Sequence, residues 1–288
     1  MIIATTIREV RAAVRAWKAE GLSIGLVPTM GYLHEGHQSL VHASVERCDR
    51  TVASVFVNPT QFGPNEDLAS YPRDFAHDCA LLEAEGCDLV FHPEPEELYP
   101  EGFCTYVENQ SEMPRQLCGK TRPIHFRGVC TVVSKLFNIV TPDVAFFGEK
   151  DAQQLAIIRR MVKDLSYGIE IVGCPIVREA DGLAKSSRNT YLSPEERKAA
   201  LCLSRAVKQA DSLLQAGETD ADRIVAAMRG EIERESMARI DYVTAADGET
   251  MLPVHQVKDG TLFAMAVYIG KTRLIDNISA HRQEAKKS

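Results

Sequence analysis

The sequence predicts an α/β protein: a mainly parallel sheet with helices on both faces over residues 1–180, then a smaller C-terminal α+β domain over 181–288. Three observations carry this. Short β-branched apolar runs alternate with segments of helical periodicity as far as Val177. The clearest of those runs is apolar along its whole length, as expected where both faces of a strand are covered. Beyond Val177 the texture changes to charged helices followed by strands. Strands alternating with helices imply right-handed crossovers, hence a parallel sheet.

Ile7, Val10, Ala13, Val14 and Trp17 recur at helical spacing. Ser23–Val27 reads as a short buried strand stopped by Pro28, and a helix is expected from Gly36 to Cys48 with Leu40, Val41 and Ser44 inward. Thr51–Val57 is the clearest strand; Asp74–Gly86 follows as a helix and Asp88–Phe91 as a strand. A Pro- and Glu-rich loop, His92–Gly102, leads to a short strand at Thr105–Val107. Val129, Val132, Val133, Leu136, Phe137 and Val140 mark a strong helix, then come strand Val144–Phe147, helix Ala152–Asp164 and strand Ile169–Val172. Ser193 and Pro194 form a helix start, as N-cap and first helical residue. Helices over 194–215 and 220–235 and strands near 240–245, 262–269 and 273–275 complete the second domain.

Hydrophobic residues at 45% and charged residues at 25% place the chain among soluble globular proteins. A chain of 288 residues needs no disulfide or metal staple to hold a core. The net charge of −7, from 33 basic and 40 acidic side chains, argues against a nucleic-acid surface and leaves anionic small molecules open. No apolar run approaches the ~20 residues that cross a bilayer, and the N-terminus lacks the features of a signal peptide. The eight cysteines are scattered without a CxxC pair, so reduced thiols in the cytoplasm are expected and a structural zinc site is not.

Generic nucleotide motifs fail. No GxGxxG follows a strand; Gly270-Lys271-Thr272 ends like a P-loop but carries Met265 where glycine is required. Gly21–Gly25 matches GxSxG, yet Ser23 enters a strand instead of leaving one. The informative segment is Pro28–His37, at a strand-to-helix junction where ligands bind parallel sheets. Gly31 and Gly36 permit close backbone approach, and His34 and His37 share the first helical turn. Free N–H groups and the helix dipole suit an anion there; capping or solvent-facing histidines are the competing reading. The spacing is one residue short of a zinc HExxH. A helix N-terminus costs an imidazolium only ~0.3–1 kcal/mol, whereas a phosphate ~4 Å away returns on the order of 4 kcal/mol at an effective dielectric of 20. A bound phosphate therefore sets the state of these rings.

Gly148-Glu149-Lys150-Asp151 follows a strand directly, offering a point charge for phosphate and a carboxylate for a hydroxyl or Mg²⁺, or else a charged turn. Lys185-Ser186-Ser187-Arg188-Asn189, beside Gly182, reads as a mobile phosphate clamp or as a solvated interdomain loop. Asn58 and Gln61 bring neutral hydrogen-bonding groups to the same sheet edge, with turn capping the alternative for Asn58.

In this order, Val27–Gly31, His34–His37, Phe56–Phe62, Tyr71-Pro72-Arg73, His125–Gly128, Gly148–Asp151 with Gln153-Gln154, and Ser186–Asn189 resemble the pantoate–β-alanine ligase family of the HIGH-type nucleotidylyltransferase superfamily. The resemblance covers nearly the whole chain. It implies a Rossmann-like fold and two half-reactions: ATP and pantoate give pantoyl adenylate and pyrophosphate with Mg²⁺, then β-alanine releases pantothenate and AMP. It also implies that Met30, Gly31, Tyr32, Leu33, His34, Glu35, Gly36 and His37 hold ATP, with His37 the usual nominee for proton donor. Gly148, Glu149, Lys150, Asp151, the backbone at Val177, and Lys185, Ser186, Ser187 and Arg188 complete that site. Gln61 and Gln154 hold pantoate, Gln61 also lying near β-alanine, and Asn58, Tyr71, Arg122 and His125 surround the pantoate pocket. The implied catalytic set is His34, His37, Lys150 and Arg188, meeting around one triphosphate; Mg²⁺ rides mainly on the ATP phosphates, and a homodimer is implied. Two positions depart from the family pattern: Lys185 replaces Met or Leu, and Ile124 replaces glycine.

The chemistry needs no covalent enzyme intermediate. In-line placement lowers such a barrier by ~7–11 kcal/mol, and fixed cations add to it. Closure of the smaller domain would keep water from the adenylate. A nucleotidylyltransferase that stops after activation, and a non-catalytic nucleotide-binding module, are the competing functions.

Overall fold

The computed structural model describes residues 1–64 and 66–280. The first unit comprises Met1–Gln110, Thr121–Glu149 and Ile157–Val177; the second comprises Ser111–Lys120, Lys150–Ala156 and everything from Arg178. The expected boundary near 180 lies close to the Val177/Arg178 division, and the second unit also takes in two earlier segments. Residues 281–288 of the expected C-terminal domain lie outside the described residues.

The first unit is built on six parallel strands, β1 (Ile2–Ala4), β2 (Ile24–Thr29), β3 (Arg50–Val55), β4 (Leu89–Phe91), β5 (Val144–Gly148) and β6 (Glu170–Cys174), in the order β1-β4-β3-β2-β5-β6. The helices along this part of the chain are α1 (Ile7–Ala19), α2 (Glu35–Arg47), α3 (Phe75–Ala84), α4 (Pro95–Leu98), α5 (Leu117–Thr121), α6 (His125–Val140) and α7 (Ala152–Asp164); α5 and α7 straddle the unit division in sequence. Val27, Ala53, Val90 and Phe146 pack with Leu40 and Val41 of α2 and Leu82 of α3 in one apolar cluster. From β2 the chain steps outward through β3 to β4, and from β5 it steps the other way to β6. Strand order therefore reverses between β2 and β5, the place where open parallel sheets bind ligands.

Several local expectations are corrected. Pro28 does not stop its strand: it pairs with Ser54 inside β2. β5 pairs only with Gly25 and Leu26, so the missing N–H falls where β2 has β3 alone beside it. β3 ends at Val55, two residues early, as the chain turns toward the 3₁₀ turn Pro59–Gln61. Thr105–Val107 forms no strand, because the Val107 N–H donates to Thr131 Oγ1 of α6 (3.0 Å) in place of a neighbouring strand. The helix marked by Val129–Val140 begins earlier, at His125.

In the second unit, β7 (Ala238–Asp247), β8 (Thr261–Ile269) and β9 (Thr272–Ser279) form an antiparallel sheet. One face carries α9 (Leu201–Gln215) and α10 (Ala221–Glu233), with Leu203, Ala206, Ile224, Met228 and Ile232 packed on Val243, Phe263, Met265 and Leu274. The single helix expected over 194–215 is two, α8 (Pro194–Ala199) and α9, separated at Ala200. Ser193 caps α8 as expected, in a reciprocal pair with Glu196.

Candidate functional site

In the first unit, Thr29 ends β2 and α2 starts at Glu35, leaving Met30–His34 to make the turn. Gly31 (φ +85°) and Tyr32 (φ 51°) are both left-handed. A β-carbon on Gly31 would stand 3.0 Å from both Asp78 Oδ2 and Val55 Cγ1, so glycine serves conformation and space there. The turn is held by Asp78 of α3, whose buried carboxylate accepts from Tyr32 N (2.9 Å) and Leu33 N (2.6 Å). Burial pushes the Asp78 carboxyl above the ordinary 3.8, outweighing the two backbone donors that lower it.

His34 is the N-cap of α2: its Nδ1 accepts from Gly36 N at 3.1 Å, and the His34 N–H donates to His37 Nδ1 at 3.3 Å. The two rings lie 4.1 Å apart between centroids. Because both Nδ1 atoms accept backbone protons, each neutral ring carries its proton on Nε2. The pair thus caps the helix and keeps two Nε2–H donors at its positive end.

Past β3, Asn58 is fully buried and spent on protein partners. Its Nδ2 donates to Gln61 Oε1 (2.9 Å) and Gly128 O (3.1 Å); its Oδ1 accepts from Tyr99 Oη (2.7 Å) and Thr60 Oγ1 (2.9 Å). Gln61, 6% exposed, directs Nε2 to Met30 Sδ at 3.1 Å. His125, also buried, donates Nδ1–H to Gln61 O (3.0 Å). Gly128 lets α6 approach this turn: a β-carbon would fall 2.5 Å from Gln61 N, Gln61 Cα and Thr60 O. Tyr71 packs edge-on against Phe62, with ring centroids 6.0 Å apart. Arg122 is ion-paired with Glu66, its Nε 2.8 Å from Oε2. Burial pushes the Glu66 carboxyl up, but the Arg122 hydrogen bond and charge prevail and hold it below the ordinary 4.5. Gly148, at the end of β5, has nothing within 4 Å of the position its β-carbon would take.

In the second unit, Asn277 Nδ2 donates to Lys150 O at 2.9 Å, fixing the turn that follows β5. Of the two adjacent glutamines, Gln153 is buried and donates to Met113 O and Gln116 O (2.8 Å each) while accepting from Cys118 N (3.0 Å); Gln154 is half-buried. Ser186 caps the 3₁₀ turn Ser187–Tyr191, its Oγ accepting from Arg188 N at 3.3 Å. The segment before it is firmly anchored. Arg178 makes a bidentate pair with buried Asp276 (2.7 and 2.9 Å), and Glu179 accepts from Asn189 Nδ2 (2.9 Å) and Arg197 Nη2 (2.7 Å). Gly182 (φ +97°) has Ser204 Oγ 2.4 Å from the position of a β-carbon. Lys185 and Ser187 flank the cap, half-buried and buried respectively.

Sequence reasoning did not single out Asp78, Tyr99 or Asn277. Asp74 and Asp78 look alike as acids in a first helical turn; Asp74 is the N-cap, accepting from His77 N, and only packing separates the buried one from it.

A family model described as pantoate-beta-alanine ligase matches residues 2–279. The pantothenate synthetase of Ruminiclostridium cellulolyticum is 57% identical over 274 residues, covering 95% of this chain and 97% of that protein. That of Clostridioides difficile is 56% identical over 273 residues, covering 95% and 96%. The crystal structure of pantothenate synthetase from Thermus thermophilus is similar with a TM-score of 0.93 and 45% identity, covering 98% of this chain and 100% of that one. The pantoate-beta-alanine ligase from Francisella tularensis, a structure complexed with beta-gamma ATP and beta-alanine, is similar with a TM-score of 0.81 and 33% identity, covering 97% and 98%.

Proposed function

Because the chain belongs to the pantoate–β-alanine ligase family and is an AMP-forming ligase that condenses pantoate with β-alanine at the expense of ATP, we propose the following division of labour among its residues. A pantoate carboxylate oxygen attacks the α-phosphorus of ATP, a new P–O bond forms, and the bond to the β-phosphate oxygen breaks to release pyrophosphate. The β-alanine amine then attacks the acyl carbon, AMP leaves, and the amine gives up a proton. His34 and His37 donate Nε2–H to phosphate oxygens as charge shifts onto pyrophosphate, each such donor contributing about 10²–10³ in rate. The observation that carries this reading is the reciprocal capping at the N-terminus of α2, where both Nδ1 atoms accept backbone protons and each neutral ring therefore carries its proton on Nε2.

Met30–Leu33, Glu35 and Gly36 form the nucleotide turn, supported by the two Asp78 hydrogen bonds. Lys150 and Arg188 neutralise phosphate charge, with Gly148, Glu149, Asp151, Val177, Lys185, Ser186 and Ser187 completing the ATP contacts. Gln61 and Gln154 hold pantoate; Asn58 and His125 act by holding Gln61, and Tyr71 and Arg122 shape the surrounding wall. Mg²⁺ enters with ATP as part of the substrate, since it keeps several waters and binds through phosphates; among the described residues no three His, Cys, Asp or Glu side chains gather as a ligand set. A homodimer and a cytoplasmic location complete the proposal. The eight free thiols favour the latter, and sedimentation velocity tests the former.

Pyrophosphate exchange into ATP tests the reaction order. Exchange that requires pantoate and not β-alanine is the expected result; exchange without pantoate, or none with it, contradicts the adenylate route.

A further inference from the structure

We propose that Tyr99 is a positioning residue: through Asn58 it holds the Gln61 side chain so that an N–H donor, and not the carbonyl, faces the substrate. This rests on the reading of Gln61 as a pantoate residue.

The Gly128 carbonyl accepts only, so the Asn58 atom 3.1 Å from it is the Nδ2 amide nitrogen. The second Nδ2 proton then goes to Gln61 Oε1 at 2.9 Å. With Oε1 so engaged, the other end of the Gln61 amide is Nε2, whose protein partner is Met30 Sδ at 3.1 Å. A thioether sulfur is a weak acceptor and takes one proton. The side chain therefore offers an N–H, which suits a carboxylate or hydroxyl oxygen of pantoate and disfavours the ammonium group of β-alanine.

The Asn58 amide is held at its oxygen as well as at its nitrogen. The shortest contact to Oδ1 is the Tyr99 hydroxyl at 2.7 Å, ahead of Thr60 Oγ1 at 2.9 Å and Thr60 N at 3.4 Å. The phenol remains a donor through the working range, burial raising it to about 12. The Tyr99 ring is fixed independently of its hydroxyl: Phe103 meets it edge-on at 5.0 Å, Phe56 lies at 6.2 Å, and Lys135 Nζ sits 5.6 Å from its centroid. Tyr99→Phe consequently removes the hydrogen bond and keeps the packing.

The test is a double-mutant cycle on Tyr99 and Gln61, read as pantoate and ATP KM in the exchange reaction. Losing one neutral hydrogen bond predicts that Tyr99→Phe raises pantoate KM about 3–10-fold with ATP KM unchanged. In a Gln61→Ala background the same change should move pantoate KM by less than about twofold, because its route to substrate is gone. Gln61→Glu, which replaces the donor by an acceptor, should raise pantoate KM more than Gln61→Ala does. Full additivity in the cycle, equal shifts in both KM values, or a Gln61→Glu enzyme that binds pantoate at least as well as Gln61→Ala overturns the inference. A Gln61→Ala enzyme with ordinary pantoate KM removes Gln61 from the pantoate site, a failure of the underlying reading that the cycle separates from failure of the relay.

Discussion

Gly128→Ala puts the proposed substrate turn under the most direct mechanical test. The added β-carbon would stand 2.5 Å from Gln61 N, Gln61 Cα and Thr60 O, against the 3.4 Å at which ordinary contact begins. All three are backbone atoms, so no rotamer change relieves the clash, and α6 and the 58–61 turn must separate by about 0.9 Å, the difference between those two distances. Overpacking of this kind costs ~1–3 kcal/mol, while alanine's helix preference over glycine returns ~0.8–1 kcal/mol. The net stability loss is ~0–2 kcal/mol, a fall in Tm of at most about 8 °C for a chain of this size class. Catalysis fares worse, because a displacement near 1 Å costs on the order of 10²-fold. Pantoate-dependent pyrophosphate exchange and a thermal melt on the same preparation measure both effects. An unchanged kcat/KM for pantoate in Gly128→Ala would show that the close approach of α6 does not position Gln61. A collapse of the fold would show that the balance of steric cost and helix preference has been misjudged.

Three further outcomes are expected. His37→Ala and Lys150→Ala should each depress exchange by at least ~10²-fold, the usual loss for one preorganised stabiliser; near-ordinary exchange in either removes that residue from the catalytic set. Gly148→Ala fills open space, so it should leave Tm within about 2 °C while weakening ATP binding measured by calorimetry; unchanged ATP affinity would show that the space is not used by nucleotide. Glu66 has its carboxyl lowered by Arg122 despite burial, so it contributes stability that is present above the ordinary 4.5 and is lost as pH falls through the lower folded value. Glu66→Gln should therefore flatten the acid limb of a Tm–pH profile, and an identical limb in both proteins refutes the assignment.

The histidine pair shows how far local sequence carries. Two imidazoles three residues apart, after a strand and before a helix, fit both a capping reading and an anion-binding reading. The structure shows the capping directly, and the capping itself fixes the tautomer that anion binding requires. Asn58 behaves likewise: it caps its turn through Thr60 and also orients Gln61.

Short-range periodicity and spacing encode the alternation of strands and helices, the junction carrying His34 and His37, the family motifs, and the change of texture after Val177. Packing, by contrast, selects the partners that come from far along the chain: Asp78 for Tyr32, 46 residues away, and Tyr99 for Asn58, 41 residues away. It also decided that Gly128 is demanded by the backbone of Gln61 and not by its own helix, and that Pro28 continues β2 because β5 has already parted from it. Such pairings depend on which surfaces the packed sheet and helices bring within a few ångströms, and residue type at one position carries no record of the neighbour that packing will supply.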